Sequence, residues 1–337
     1  MDRLVRYFTE GIQDQPIATT VGMEIETSFI DLGGQPITLA QSQQLLVLLC
    51  NGYGWFPGKV KNQLLTEIFD RNGNKILYEL GRQNIELSAA PGRAVDVVEK
   101  SERILQVLYS AAAEVGAFPN LEPILKTDES LLVIPDERDA IWLELDGREA
   151  LELLARISSV QFTVSVPLAQ AVVCLNRLGE NIGRFLKYYP QEEYWRKYIR
   201  ESKAGYNPMR YGGPLFFHSI ENYCERLVGH DVILGPAQET TPLFRADPAR
   251  LVSYGKVVDL DIPLYLRSIW WYFRLRRYGN TLGIEVRPLP RDNEPFQEKL
   301  DFVLGILGVS DAGPSSIRRT PFFFEEGGAC GILPEPD

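Results

Sequence analysis

Histidine and cysteine are scarce in this chain of 337 residues, and their scarcity restricts its chemistry. The two histidines, His218 and His230, leave little material for a catalytic zinc site or a Ser-His-Asp triad. The four cysteines lie far apart and form no CxxC pair, so we expect a reduced, cytoplasmic protein. They are Cys50, Cys174, Cys224 and Cys330.

Long apolar runs, a basic excess and glycine-rich phosphate motifs are also missing. No stretch of about 20 apolar residues occurs, so we expect no membrane-spanning segment. The balance of 35 basic and 45 acidic residues gives a net charge of −10, which argues against nucleic-acid and anionic-membrane partners. Neither GxxxxGK[ST] nor GxGxxG occurs, so any nucleotide site must be built in another way.

Four stretches alternate apolar and polar residues: GMEIETSF, QNIELSA, SVQFTVSV and GIEVRPL. In an extended strand, residues two apart share a face. The polar faces therefore carry Glu24, Glu26, Glu86, Gln161, Glu285 and Arg287. If the four strands are neighbours, these side chains converge on one side of a sheet while the apolar residues cover a core.

Converging carboxylates need a counter-charge. Two unit charges 4 Å apart repel by about 4 kcal/mol at an effective dielectric constant of about 20, so the cluster calls for protonation, basic partners or a metal. With histidine scarce, oxygen ligands favour Mg²⁺ or Mn²⁺. The alternative is that each polar face is only the solvated side of a half-exposed antiparallel strand.

The element order mixes strand pairs with runs of helices and shows no repeating βαβ unit, which indicates an α+β fold. The turn DRNG at 70–73 predicts a hairpin between a strand ending near Phe69 and a strand from Lys75 to Leu80. Helices are predicted for 1–12, 40–51, 94–115, 147–156, 168–188, 191–203, 218–229, 258–278 after Pro263, and 295–308. We expect one domain over 1–309 and, over 310–337, a tail rich in Gly, Pro and Ser that is poorly ordered or docked on the surface.

The segment YELGRQNIELSAAPG resembles a segment of the glutamate–cysteine ligases of the plant and proteobacterial type, in which such a strand leads into a helix. Further matches follow in the order of that family: YFTEG, the strand with Glu24 and Glu26, GW at Gly54 and Trp55, SVQFTVS, and WWYFRLRRYGNTLGIEVRPL. Together they span roughly the first 290 residues. The resemblance implies the fold of glutamine synthetase and the guanidino kinases, a curved, mostly antiparallel sheet of about six strands with helices packed outside.

The activity that the resemblance implies is an ATP- and Mg-dependent ligase that joins glutamate to cysteine or another amine through γ-glutamyl phosphate. The matching positions give Arg287 a place on the transferring phosphate and Gln161 a contact to metal or phosphate. Arg274 and Glu79 are candidates for the nucleotide site. The implied metal ligands are Glu24, Glu26, Glu86 and Glu285.

Simpler roles remain open for several of these residues. Arg287 could form a cross-strand salt bridge to Glu285 or Glu86. The basic residues from Arg274 to Arg277 would favour the dipole at a helix end, and the aromatic residues at 270–273 would pack in the core. Two other functions also fit the sequence: phosphoryl transfer to a nitrogen acceptor, and non-catalytic binding of an amino acid or a partner protein.

Overall fold

The structure is a computed structural model that describes residues 1–14, 19–133, 137–233, 245–246 and 262–309. The expected tail at 310–337 lies outside the described residues, and the expected division into a domain and a tail stays a prediction. In the described part of the chain, the helices are α1 (Asp2–Thr9), α2 (Leu39–Gly52), α3 (Ala94–Glu114), α4 (Glu137–Asp146), α5 (Arg148–Leu154), α6 (Ala171–Glu180), α7 (Ile182–Leu186), α8 (Gln191–Glu201), α9 (Ile220–Val228), α10 (Ile262–Arg267) and α11 (Phe296–Leu307).

A nine-stranded antiparallel sheet organises the fold, and its main path runs in the order β12-β13-β7-β1-β5-β4-β3-β2, with β6 paired to β1. Its strands are β1 (Val21–Ile30), β2 (Phe56–Lys61), β3 (Leu64–Phe69), β4 (Lys75–Tyr78), β5 (Asn84–Gly92), β6 (Phe118–Asn120), β7 (Ser159–Ser165), β12 (Phe273–Tyr278) and β13 (Thr281–Pro290). Two small sheets pair β8 (Tyr211–Gly212) with β11 (Trp270–Trp271), and β9 (Val232–Ile233) with β10 (Arg245–Ala246). The α+β class and the antiparallel sheet are confirmed.

The hairpin predicted at 70–73 is confirmed, and its sequence explains its geometry. The Asp70 carboxylate accepts hydrogen bonds from the backbone N–H groups of Asn72 and Asn74, both at 2.9 Å. Gly73 adopts a φ of 82°, which costs a residue without Cβ little. The turn brings β3 and β4 together in antiparallel register, with Phe69 opposite Lys75.

One face of the large sheet is the hydrophobic core. Alternate residues of the central strands point to this face and are fully buried, among them Ile25, Leu87, Phe162 and Ile284. Helices α2, α3, α6 and α11 pack over them. The opposite face carries the polar alternates, as the period of two predicts.

The helix predicted for 258–278 after Pro263 is wrong for most of those residues. Helix α10 ends at Arg267, and the chain then forms β11 and β12. The run from Phe273 to Arg276 alternates apolar and polar residues, and bulky aromatic side chains favour strands. Pairing with β13 decides the conformation, because Arg274 then lies opposite Glu285.

The sheet also differs from the expected funnel of about six strands. Over the described residues it has nine strands, it is uncurled, and its end strands β12 and β2 do not pair with each other. Side chains of α4, α5 and α8 line a cavity together with polar residues of the sheet.

Helix bounds agree with prediction elsewhere, with two differences. The region 168–188 divides into a short 3₁₀ turn, α6 and α7, and α4 precedes the helix that was predicted at 147–156. Among the described residues, no helix combines the length and apolar character that crossing a membrane requires.

Candidate active site

A cavity of about 530 Å³ lies between the polar face of the sheet and the helices α4, α5 and α8. Its sheet wall contains all eight site residues predicted from the sequence. They are Glu24, Glu26, Glu79, Glu86, Gln161, Arg274, Glu285 and Arg287. The volume falls within the range of small-molecule sites, and its polar lining is rich in charge of both signs.

Strand register explains why these side chains meet. The strands β13, β7, β1 and β5 are consecutive neighbours in the sheet, as the convergence of the four alternating stretches required. Glu26 lies directly opposite Glu86, and Glu24 lies directly opposite Gln161. Side chains opposite each other on antiparallel strands share a face, with Cβ atoms about 5 Å apart.

Glu26 begins a chain of hydrogen bonds that ends at Arg287. The backbone N–H of Ser159 donates to Glu26 Oε2 at 2.7 Å, and Gln161 Nε2 donates to Glu26 Oε1 at 3.2 Å. Arg287 Nη1 in turn donates to Gln161 Oε1 at 2.8 Å. The Gln161 amide therefore orients both a carboxylate and a guanidinium group toward the same space.

Arg274 and Glu285 form a buried ion pair with two hydrogen bonds. Arg274 Nε and Nη2 donate to the two carboxylate oxygens of Glu285, the second at 3.0 Å. Their side chains are 6% and 2% exposed. Arg287 approaches the same carboxylate at 3.6 Å, so the salt bridge considered for Arg287 is present, but Arg274 is the closer partner of Glu285.

The carboxylates divide into two electrostatic groups. Burial raises the pKa of Glu26 to about 8, and the neighbouring Glu79 adds to the rise. Burial likewise raises the pKa of Glu86 well above its usual range, with Glu24 and Glu79 adding to the effect. Burial alone would raise the pKa of Glu285 too, but Arg274, Arg287 and Arg276 outweigh it and hold that pKa well below its usual range. The arginines therefore compensate the charge of Glu285, whereas the lowering effect of Arg287 on the pKa of Glu26 is smaller than the raising effects of burial and of Glu79.

The group of carboxylates around Glu26 has the composition of a site for a hard cation. One carboxylate oxygen each from Glu26, Glu79 and Glu86 lies within 4.8 Å of the others. Mg²⁺ binds oxygen ligands at about 2.0–2.1 Å and typically uses one or two carboxylates with water and substrate phosphate. The donor set fits such an ion. It also places Glu79, which was predicted for the nucleotide site, among the possible metal ligands.

Several residues of the cavity were missed by the sequence reasoning. Arg276 lies two residues after Arg274 on β12, and reading 273–276 as an alternating strand would have found it. Lys59 and Lys75 come from β2 and β4, and Glu67 of β3 contacts both lysines, at 2.7 Å and 3.4 Å. A group of aromatic residues from α4, α8 and β11 also lines the cavity, and no short motif in the sequence indicated it. Its members are Trp142, Trp195, Tyr198 and Trp270.

Comparison with known proteins gives structural similarity at low sequence identity. No protein-family model matches the chain, and no curated protein matches its sequence. A bifunctional glutathione synthetase from Pasteurella multocida matches over 91% of this chain with a TM-score of 0.48 and 12% identity, and this match covers 40% of its own length. A glutamate–cysteine ligase from Francisella tularensis in complex with AMP matches over 88% with a TM-score of 0.47 and 12% identity, and 68% of its length is covered.

A glutamine synthetase from Plasmodium falciparum matches over 91% of the chain with a TM-score of 0.41 and 9% identity, over 54% of its own length. These structures include the kind of ligase that the sequence motifs resemble. With TM-scores below 0.5, however, the similarities carry no functional argument, and the chemistry has to be argued from the cavity.

Proposed function

We propose that this protein is an ATP- and Mg-dependent carboxylate–amine ligase that activates glutamate. The observation that carries the proposal is the meeting of Glu26, Glu79 and Glu86 with Arg287 in one cavity. Carboxylates that a neighbouring guanidinium group compensates only in part suit a substrate that arrives as a metal complex of a polyphosphate.

Each residue of the sheet wall has a distinct part in this proposal. Glu26, Glu79 and Glu86 hold Mg²⁺, which neutralises phosphate charge during transfer. Arg287, oriented by Gln161, donates its remaining N–H groups to the transferring phosphoryl group. Arg274 keeps Glu285 ionised and in place, so that Glu285 and Glu24 extend the acidic surface on the β13 side.

The proposed reaction has two substitutions. An oxygen of the substrate's γ-carboxylate attacks the γ-phosphorus of ATP, the bond to the bridging oxygen breaks, and ADP leaves. The nitrogen of a deprotonated amine then attacks the acyl carbon, the C–O bond to phosphate breaks, and the proton lost from nitrogen passes to water. Such chemistry asks a protein mainly for positioning and charge stabilisation, which suits a site without histidine.

Lysines at the β2–β4 end of the sheet support a polyphosphate in this cavity. Lys59 and Lys75 line the cavity there, and Glu67 pairs with both. The sheet order separates this end from Arg274 on β12, so a nucleotide can extend from the lysines toward Arg287. The resemblance of the motifs implies cysteine as the acceptor, and cysteine is the first amine to test.

The test is ADP release by the full-length protein with Mg²⁺, ATP, glutamate and a panel of amines. We expect release to require both Mg²⁺ and glutamate, and Glu86→Gln to reduce it by at least about 100-fold, as expected when a ligand of the reacting group is removed. Glu122→Gln, at an exposed position outside the cavity, is the matched control and should keep full activity.

Other results would identify the other functions. A stable phosphorylated nitrogen product without an amide would indicate a phosphotransferase. Calorimetry that detects an amino acid but no Mg-dependent ATP binding would indicate a binding protein. Either result would overturn the ligase proposal, as would full activity of Glu86→Gln.

A further inference from the structure

Four aromatic side chains form a wall of the cavity opposite the charged sheet. Trp270 lies at the centre of this aromatic wall, with its ring centroid 5.9 Å from that of Trp142, 5.7 Å from that of Trp195 and 5.5 Å from that of Tyr198. Such spacings are those of favourable aromatic pairs. All four residues line the cavity, where Trp142 and Trp195 are partly exposed and Tyr198 and Trp270 are 1% and 9% exposed.

The aromatic wall is preorganised by contacts behind it. Tyr198 donates a hydrogen bond at 3.0 Å to Asp146, a carboxylate that is only 1% exposed. Trp195 stacks on Tyr211 with a centroid distance of 5.1 Å and an interplanar angle of 6°. Neither ring needs a ligand to hold its position, so an occupant would find the surface already formed.

Tyr198 and Trp270 belong to the hydrophobic core, and the other two aromatic residues of the wall pack against it without being fully buried. Trp142 and Trp195 are only partly buried, although the chain buries Trp271 completely. Apolar area left open to water is unfavourable, and a ligand that covers it gains binding free energy. An apolar ligand group that covers this face would therefore bind more tightly than a small polar group.

A direct connection joins the wall to the charged site. Arg274 Nη1 donates at 2.8 Å to the carbonyl oxygen of Ile269, the residue immediately before Trp270. The same guanidinium group pairs with Glu285. The aromatic wall thus begins beside the β13 end of the acidic surface, at the opposite end of the sheet order from Lys59 and Lys75.

We infer that the amine acceptor carries an aromatic or large apolar group that binds against Trp142, Trp195 and Trp270. This inference rests on the proposed ligase function and gives its acceptor a chemical class. The amine nitrogen reaches the acyl carbon near Arg287 while its apolar group lies against the rings. The adenine of ATP is the competing occupant, but the lysines that suit its phosphates lie at the other end of the cavity.

The experiment compares matched acceptors that differ by one ring. In Mg-, ATP- and glutamate-dependent amide formation, 2-phenylethylamine should exceed ethylamine in kcat/KM by about 10- to 100-fold, the effect expected from burying one aromatic group. L-phenylalanine should exceed L-alanine and L-cysteine in the same way. Trp195→Ala should reduce these preferences about tenfold and leave the KM values for ATP and glutamate unchanged.

Two further variants serve as controls. Trp195→Phe keeps an aromatic face and should retain most of the preference. Phe216→Ala removes an exposed aromatic side chain outside the cavity and should change nothing. Equal kcat/KM values within each acceptor pair, or cysteine as the best acceptor, would overturn the inference. A rise in the KM for ATP in Trp195→Ala would do so too, because it would assign the wall to adenine.

A binding measurement separates this inference from the proposed function. Tryptophan fluorescence should change saturably with 2-phenylethylamine, and at the same concentrations ethylamine should have no effect. If no acceptor supports ATP turnover, the ligase proposal fails. Saturable binding that Trp195→Ala weakens would then still support an apolar amine as the ligand of the wall, and absence of binding would reject it.

Discussion

Glu26 and Glu86 lie directly opposite each other on neighbouring antiparallel strands, and burial raises the pKa of both carboxyl groups. Like charges in this arrangement destabilise a sheet. The protein keeps them together on the floor of a cavity where a third carboxylate, Glu79, is also close. Function and stability should therefore conflict at this position, and the conflict can be measured.

Glu86→Gln should stabilise the metal-free protein even though it removes activity. Glutamine preserves the shape of the side chain and cannot ionise, so it removes the cost of burying an ionisable carboxyl group opposite Glu26, and we expect a gain of about 0.5–1 kcal/mol in the free energy of unfolding. Urea unfolding in the presence of a chelator at pH 8 measures it. Glu122→Gln should give no gain, and a less stable Glu86→Gln protein would contradict the account of repulsion.

Mg²⁺ should stabilise the wild-type protein by binding its folded state. At a concentration 100 times the dissociation constant, the expected gain is about 2.7 kcal/mol, and a chelator should reverse it. The measurement is the unfolding midpoint against Mg²⁺ concentration, with KCl at matched ionic strength as the control. Glu86→Gln should show a much smaller shift, and an equal shift in both proteins would place the ion elsewhere.

The sheet wall of this site could be predicted from the sequence because a strand has a period of two. Glu24 and Glu26 had to share a face whatever their neighbours were. The position of β1 between β5 and β7 depends on contacts between residues far apart in the sequence, and no local pattern specifies it. The resemblance to a ligase family implied only that Glu24, Glu26 and Glu86 serve one metal site, and the register of Glu26 against Glu86 agrees with that implication.

The aromatic wall could not be predicted in the same way. Trp142, Trp195 and Trp270 come from α4, α8 and β11, and nothing in their local sequences distinguishes a ring that faces a cavity from a ring in the core. The error at 258–278 had a different cause. A short apolar run fits both a buried helix and a strand, and pairing with β13 decided between them.

Arg287→Lys should lower turnover although it keeps the positive charge. Lysine is a flexible point charge and lacks the planar fork that allows Arg287 to donate to Gln161 and to phosphate at once. We expect kcat to fall by at least about tenfold with a smaller change in the KM for ATP, since the contact strengthens during phosphoryl transfer. Steady-state ADP release measures both. Arg103→Lys, at an exposed position on α3, should behave as wild type.

Arg274→Met should destabilise the protein strongly because it leaves Glu285 buried without its closest partner. Breaking a buried ion pair by removing one member costs about 3–5 kcal/mol. Methionine at both positions should recover part of this loss. Recovery stays incomplete because Arg274 also donates to the carbonyl groups of Leu266 and Ile269. Urea unfolding of the single and double variants tests the pairing, and a double variant no more stable than Arg274→Met would argue against it.

His230 should make the stability of the protein depend on pH below neutrality. Burial lowers its pKa to about 4 from an ordinary value of 6.5, and the nearby Arg210 adds to the shift. Its Nδ1 has no hydrogen-bond partner among the residues that the structure describes, and its ring packs edge-on against Trp271 at 5.8 Å. Because the folded-state pKa is depressed, the stability that the neutral ring contributes is fully present above pH 6.5 and is lost as the pH falls toward 4.

The shift of His230 corresponds to a loss of about 3 kcal/mol across that interval. His230→Phe keeps the ring contact with Trp271 and cannot take up a proton, so its free energy of unfolding should fall less than that of the wild type between pH 6.5 and pH 4. His218→Phe is the matched control, because His218 is exposed, and it should follow the wild-type curve. If wild type and His230→Phe lose stability in parallel, another group is responsible for the acid sensitivity of the fold.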